Sequence, residues 1–178
     1  MSQLKLRKRA DYGYILDYRT RWSDNDMYDH MNNSIYNFLS VNIHETSILS
    51  SLDAFISGRS NILPSRYDSV VNTYLINECG LYPPTSDQYG LVVHSHGDFF
   101  GSIAFPAVAE LALRVNKLGK SSVTYEIALF ERGVDEVKSV GELVHVFVDR
   151  STGRPSPNGL DSKLKDGLQK ILVKQSKL

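Results

Sequence analysis

The run Arg21-Trp22-Ser23-Asp24-Asn25-Asp26-Met27-Tyr28-Asp29-His30-Met31-Asn32-Asn33-Ser34-Ile35-Tyr36 places carboxylates and an imidazole just ahead of an apolar, helix-like segment. That layout suits attack on a polarised carbonyl. The first N–H groups of a helix have no partner inside it and carry roughly half a unit of positive charge, which favours an oxygen acquiring negative charge. Asp and Asn ahead of a helix also serve as caps. Taken alone, Asp26 and His30 fit either role, whereas Asn32 reads as the helix cap.

Other groups that could do chemistry are fewer. His94 and His96 share a strand face, but no third ligand stands near them in sequence, so they read as surface or packing residues and no metal is expected. Ser47, Ser50 and Ser51 lack the turn of a nucleophilic serine. The single cysteine, Cys79, excludes an internal disulfide and a thiolate-rich zinc site, and reads as inert. The final Ser176-Lys177-Leu178 reads as a peroxisomal address recognised by an import receptor, with the polar Lys174-Gln175 keeping it accessible.

The elements that must position these groups follow from periodicity. Tyr12, Tyr14, Leu16 and Tyr18 alternate and predict a first strand running up to Trp22. From Asn33, the residues Ile35, Tyr36, Phe38, Leu39, Val41, Ile43, Ile48, Leu49 and Leu52 cover the whole helical circumference, the pattern of a buried helix. Gly58 and Pro64 break the chain, and Tyr67 to Leu75 predict a second helix ending near Gly80, within an elongated helical connection at about 58–90. After Pro83-Pro84, strands are expected at Leu91–His96, around Leu111–Val115, at Val123–Leu129 and at Val140–Val148. Tight connections between the later three predict an antiparallel meander. Leu160, Leu164, Leu168 and Leu172 predict a closing amphipathic helix at about 160–173. The outcome is one α+β domain over 1–178, an antiparallel sheet of about five strands wrapped around a long central helix.

Composition narrows the function classes. Twenty basic and twenty acidic residues give zero net charge, so no global field attracts nucleic acid or an anionic membrane. The basic cluster Lys5, Arg7, Lys8 and Arg9 reads as a solvated N-terminal arm, since Asp11 follows and no amphipathic repeat continues it. No apolar run approaches the ~20 residues of a membrane span, nor does the start have the apolar core of a secretory signal.

Asp24 to Tyr36 resembles the signature of the hotdog-fold thioesterases related to 4-hydroxybenzoyl-CoA thioesterase: an Asp-x-Asp pair, then His-hydrophobic-Asn-Asn and a Tyr on the central helix. Phe99 to Pro106 is similar to the family's bend before its third strand, Leu118 to Ser122 to its hairpin, and Val146 to Asp149 to its last strand. The resemblance implies a hotdog fold with Asp26 as the catalytic carboxylate, either nucleophile on the thioester carbonyl or general base for water. It puts Asn33 where the family uses a backbone N–H at the helix start to polarise the thioester oxygen, a donor worth roughly 3 kcal/mol in comparable sites. Asp24 is expected to make a structural hydrogen bond at the turn, because two ionised carboxylates at one substrate would raise each other's pKa. Tyr28 stands where the plant acyl-ACP branch has a catalytic Asn, which leaves most of the chemistry to Asp26 and has His30 orient the loop or a water. Lys117, Lys120, Ser121 and Ser122 flank a hairpin that in many relatives lies near the CoA phosphates; the same residues also suit a solvated turn.

The resemblance therefore implies an acyl-CoA thioesterase without cofactor, assembled as a homodimer or homotetramer. The tail places it in the peroxisomal matrix, with the cytoplasm as the alternative. A hotdog acyl-thioester hydratase or dehydratase, and a non-catalytic acyl-CoA binding protein, stand as the other readings.

Overall fold

The computed structural model describes residues 3–32, 35, 70–82 and 85–173. Runs rich in Val, Leu, Ile and Tyr form five strands: β1 (Tyr14–Arg19), β2 (Gln88–Phe99), β3 (Val108–Leu118), β4 (Ser122–Glu131) and β5 (Val137–Asp149). All neighbours are antiparallel, in the order β1-β3-β4-β5-β2. The meander expected of the last three strands is present. β2, however, pairs with β5 at the far edge, because residues 100–107 carry the chain back across the end of the sheet to β3.

One face of the sheet is lined by Leu111, Leu113, Val115, Val123, Tyr125, Ile127, Leu129, Leu143 and Phe147. Helix α1 (Val70–Asn77) lies on it, burying Val70, Val71, Tyr74 and Leu75. Each such side chain contributes about 2 kcal/mol when fully removed from water. Tyr74 also meets the edge of Tyr14 at 4.9 Å between ring centroids. Of the helices that cover this face among the described residues, α1 is the one expected within the 58–90 connection. The expected long helix from Asn33 to Leu52 lies outside the described residues, apart from Ile35, which is helical and packs on this core.

Helix α2 (Ser162–Gln169) follows, capped by Asp161, whose Oδ1 accepts the N–H groups of Lys163 and Leu164. Leu164 and Leu168 enter the same core, and Tyr74 donates its hydroxyl to the Gly167 carbonyl at 2.7 Å. The chain after α2 then bonds alongside β3, where Val115 N–H donates to Ile171 O and Val173 N–H to Val115 O.

The outer face is covered by the N-terminal segment. Leu4 and Tyr12 pack with Ala112, Ala128, Phe130, Val137 and Val140. Arg7 and Arg9, expected to be solvated, instead bond Glu126 and Glu110 at 2.8 and 2.6 Å. Sequence could not show this, because the partners are more than a hundred residues away along the chain. Glu126 also accepts from Tyr12, Arg114 and Asn116. Burial would raise its carboxyl pKa, but the hydrogen bonds from Arg7, Asn116 and Tyr12 and the Arg114 charge hold it at about 2.

Candidate active site

β1 ends at Arg19, and the chain turns into the Asp24–Asn32 loop at the end of the sheet where β3 begins. Three ties hold the loop there. Thr20 exchanges hydrogen bonds with Ala107, Met31 N–H donates to Ile103 O at 2.8 Å, and Asn25 Oδ1 accepts from Phe105 N–H at 3.2 Å. The Phe105-Pro106 peptide beside it is cis. Met31 is buried and works as the loop's anchor in the core.

Asp24 is buried and makes structural bonds. Its Oδ2 accepts the Tyr18 hydroxyl at 2.8 Å and the Arg21 N–H at 2.7 Å, while its carbonyl accepts from Asn32 N–H. Asp26 is half-buried at the start of the next turn. Its Oδ1 accepts the N–H groups of Tyr28 at 2.8 Å and His30 at 3.3 Å. Its own N–H donates to His30 O at 2.7 Å, closing the turn in which Asp29 takes a left-handed conformation, φ 59°. Asp26 and His30 are therefore brought together through the main chain. The His30 side chain is exposed. Ile35 N–H bonds Asn32 O at 2.8 Å, the spacing of a first helical turn beginning at Asn32. Asn33 lies outside the described residues.

This geometry can present a carboxylate, fixed by two backbone donors, ahead of a helix start. It leaves Trp22, Met27 and Tyr28, neighbours of Asp26 in sequence, 78, 87 and 72% exposed. A groove of about 440 Å³ adjoins the loop's base, lined by Arg19, Thr20, Phe105, Pro106, Glu131 and Arg132 among others. Sequence pattern did not single out this groove, since its walls come from segments far apart in the chain: the end of β1, the turn before β3 and the end of β4.

The weaker substrate residues lie elsewhere. Lys117, Lys120, Ser121 and Ser122 sit at the β3–β4 hairpin, the far end of β3 from the Asp26 loop. Over the strand's length that is roughly 30 Å. One chain does not unite them with Asp26. The hairpin is bound to the C-terminal region instead, with Lys120 O accepting from Leu160 N–H and Ser121 O from Phe147 N–H. Cys79 is buried, and burial pushes its thiol up to about 12, as suits an unreactive packing residue. His145 is buried between Tyr125 and Phe147, with neither ring nitrogen hydrogen-bonded among the described residues, and burial pulls its pKa down to about 4. Ser176, Lys177 and Leu178 lie outside the described residues.

Comparison with known proteins bears on the same segments. The sequence pattern described as "Thioesterase superfamily" matches residues 67–138, and that described as "Acyl-ACP thioesterase C-terminal domain" matches residues 7–54. No significant match was found among curated proteins. Among solved structures, the PA5185 protein of Pseudomonas aeruginosa is 36% identical, with a TM-score of 0.70, and the match covers 93% of this chain and 95% of that one. A predicted thioesterase from Bacillus stearothermophilus shares the fold at 15% identity and a TM-score of 0.59, covering 92% of this chain and 98% of its own. A 1,4-dihydroxy-2-naphthoyl-CoA thioesterase from Synechocystis does so at 8% identity and 0.56, covering 88% and 95%.

Proposed function

The chain belongs to the thioesterase superfamily, and we propose that it hydrolyses acyl-CoA thioesters to free acid and CoA through Asp26. The observation that carries this reading is the Asp26 turn itself. Its Oδ1 is fixed by the N–H groups of Tyr28 and His30, in a segment shared with the acyl-ACP thioesterase pattern. A carboxylate held by these two donors keeps a fixed orientation within its turn. As nucleophile, it bonds to the thioester carbonyl carbon and expels CoA thiolate, leaving an anhydride that water cleaves. As base, it takes a proton from water while the new hydroxide oxygen bonds to that carbon and thiolate departs with a proton. In either course the backbone N–H of Asn33 stabilises the carbonyl oxygen.

One observation supports a homodimer. β2 is an edge strand with Leu91, Val92, Val93 and Phe99 exposed, a surface that favours strand pairing with a second copy. Carrier preference divides two readings: the acyl-ACP thioesterase match over 7–54 favours a carrier-protein thioester, while the Ser176-Lys177-Leu178 tail favours CoA, because peroxisomes process CoA esters. We place the protein in the peroxisomal matrix on that ground. Thiol release from a panel of acyl-CoAs and acyl carrier protein esters tests the reading. Faster turnover of CoA esters supports it, and turnover of carrier-protein esters alone overturns it.

A further inference from the structure

His94 and His96 acquire across the sheet the third donor that sequence does not show. In the register of β2 with β5, His96 stands opposite Glu142 and His94 opposite Val144. Strand alternation puts all three polar side chains on the outer face, away from α1. His94 Nε2 and His96 Nδ1 are 3.2 Å apart, and one ligand atom from each of His94, His96 and Glu142 lies within 4.8 Å of the others. Both histidines are exposed and Glu142 is half-buried.

The imidazole spacing is close to what a tetrahedral cation requires. With ligands about 2.05 Å from the ion, neighbouring ligand atoms sit about 3.3 Å apart. The carboxylate has to close by at most about 1.5 Å, which a Glu side chain achieves by rotamer change. The local charge also favours a cation. Glu142 stands beside Glu126 in the β4–β5 register, and Arg7, Arg114, Asn116 and Tyr12 all bond Glu126, with none among the described residues bonding Glu142. Asp98, two residues beyond His96 on the same strand face, adds a further negative charge nearby.

We propose that His94, His96 and Glu142 form a binding site for a divalent cation of the zinc class on the outer face of β2 and β5. Two imidazoles and one carboxylate match the donor preference of zinc, with water completing the fourth position. The site lies on the opposite face of the sheet from the core that packs α1, and uses no residue of the Asp26 loop. Edge pairing of β2 would use main-chain groups and leave this face open. The site therefore stands or falls independently of the thioesterase reading.

The test is calorimetric titration of the tag-free, chelator-treated full chain with zinc chloride. Saturable binding of about one ion per chain is expected, weakened at least about tenfold in His94→Gln and in His96→Gln, and severalfold in Glu142→Gln. Melting each variant in chelator checks folding, and replacing exposed or half-buried side chains is expected to leave that melt unchanged. The rival is a plain His94–His96 hydrogen bond. Absence of saturable binding to the wild type, or retention of full affinity by a folded His94→Gln/His96→Gln double variant, overturns the proposal.

Discussion

Asp26 holds its own loop and is also the proposed reacting group, so the choice of substitution decides what an experiment can say. In Asp26→Asn the amide oxygen can still accept from Tyr28 and His30, and the variant is expected to melt within about a degree of wild type while losing turnover. His30→Ala is expected to cost less than Asp26→Asn, since the residue's recorded bonds to Asp26 run through the main chain and survive the change. An equal loss at both positions, measured as kcat, would point to an acid–imidazole pair. His145 allows a prediction about pH. Its pKa falls from 6.5 in the unfolded chain to about 4 in the fold, so the unfolded state binds more protons between those values. Stability contributed by the neutral ring is full above 6.5, declines as pH falls, and is lost below about 4, a difference of about 3 kcal/mol. Urea melts of His145→Leu are expected to flatten across that window. Glu126 acts lower, its contribution being present above the usual 4.5 and lost as pH falls through about 2. Asp24, Asp26 and His30 were legible in the sequence because their spacing is local. The Glu126 cluster and the His94–His96–Glu142 group were not, because strand register brings their members together.

Among the elements, the strands were the most readable. Period-two alternation marked β4 and β5, and the buried run Leu111–Val115 sits where Leu111, Leu113 and Val115 were expected. Alternation does not encode strand order, and the crossover that puts β2 beside β5 is a property of the whole chain. The α1–α2 contact was equally hidden. Gly167 lies in α2 against Cys79, and a Cβ there would stand 2.5 Å from Cys79 Sγ and 3.0 Å from the Glu78 carbonyl. Gly167→Ala is therefore expected to destabilise the protein by about 2 kcal/mol, although alanine is the better helix former in isolation. A higher melting temperature for Gly167→Ala would contradict this packing. Asp24→Ala is expected to cost about 3 kcal/mol, since Tyr18 and the Arg21 N–H lose a charged acceptor.

For the molecule as a whole, the proposed dimer rests on the exposed β2 edge. Val93→Lys on that edge is expected to shift the protein toward monomer and lower activity with it, as sedimentation and turnover measured on the same sample would show. An active monomer at assay concentration would remove the dimer from the account. Deleting Leu178 from a fluorescent fusion ahead of the tail is expected to release it from peroxisomes to the cytosol. Central to all of this is thioester hydrolysis by Asp26. Thiol release from acyl-CoA by wild type and Asp26→Asn, assayed side by side, tests it most directly. The account predicts CoA and free acid in equal amounts from wild type and a loss of at least about a hundredfold in the folded variant. A folded Asp26→Asn protein that hydrolyses at the wild-type rate, or a wild type that releases no thiol, would contradict it.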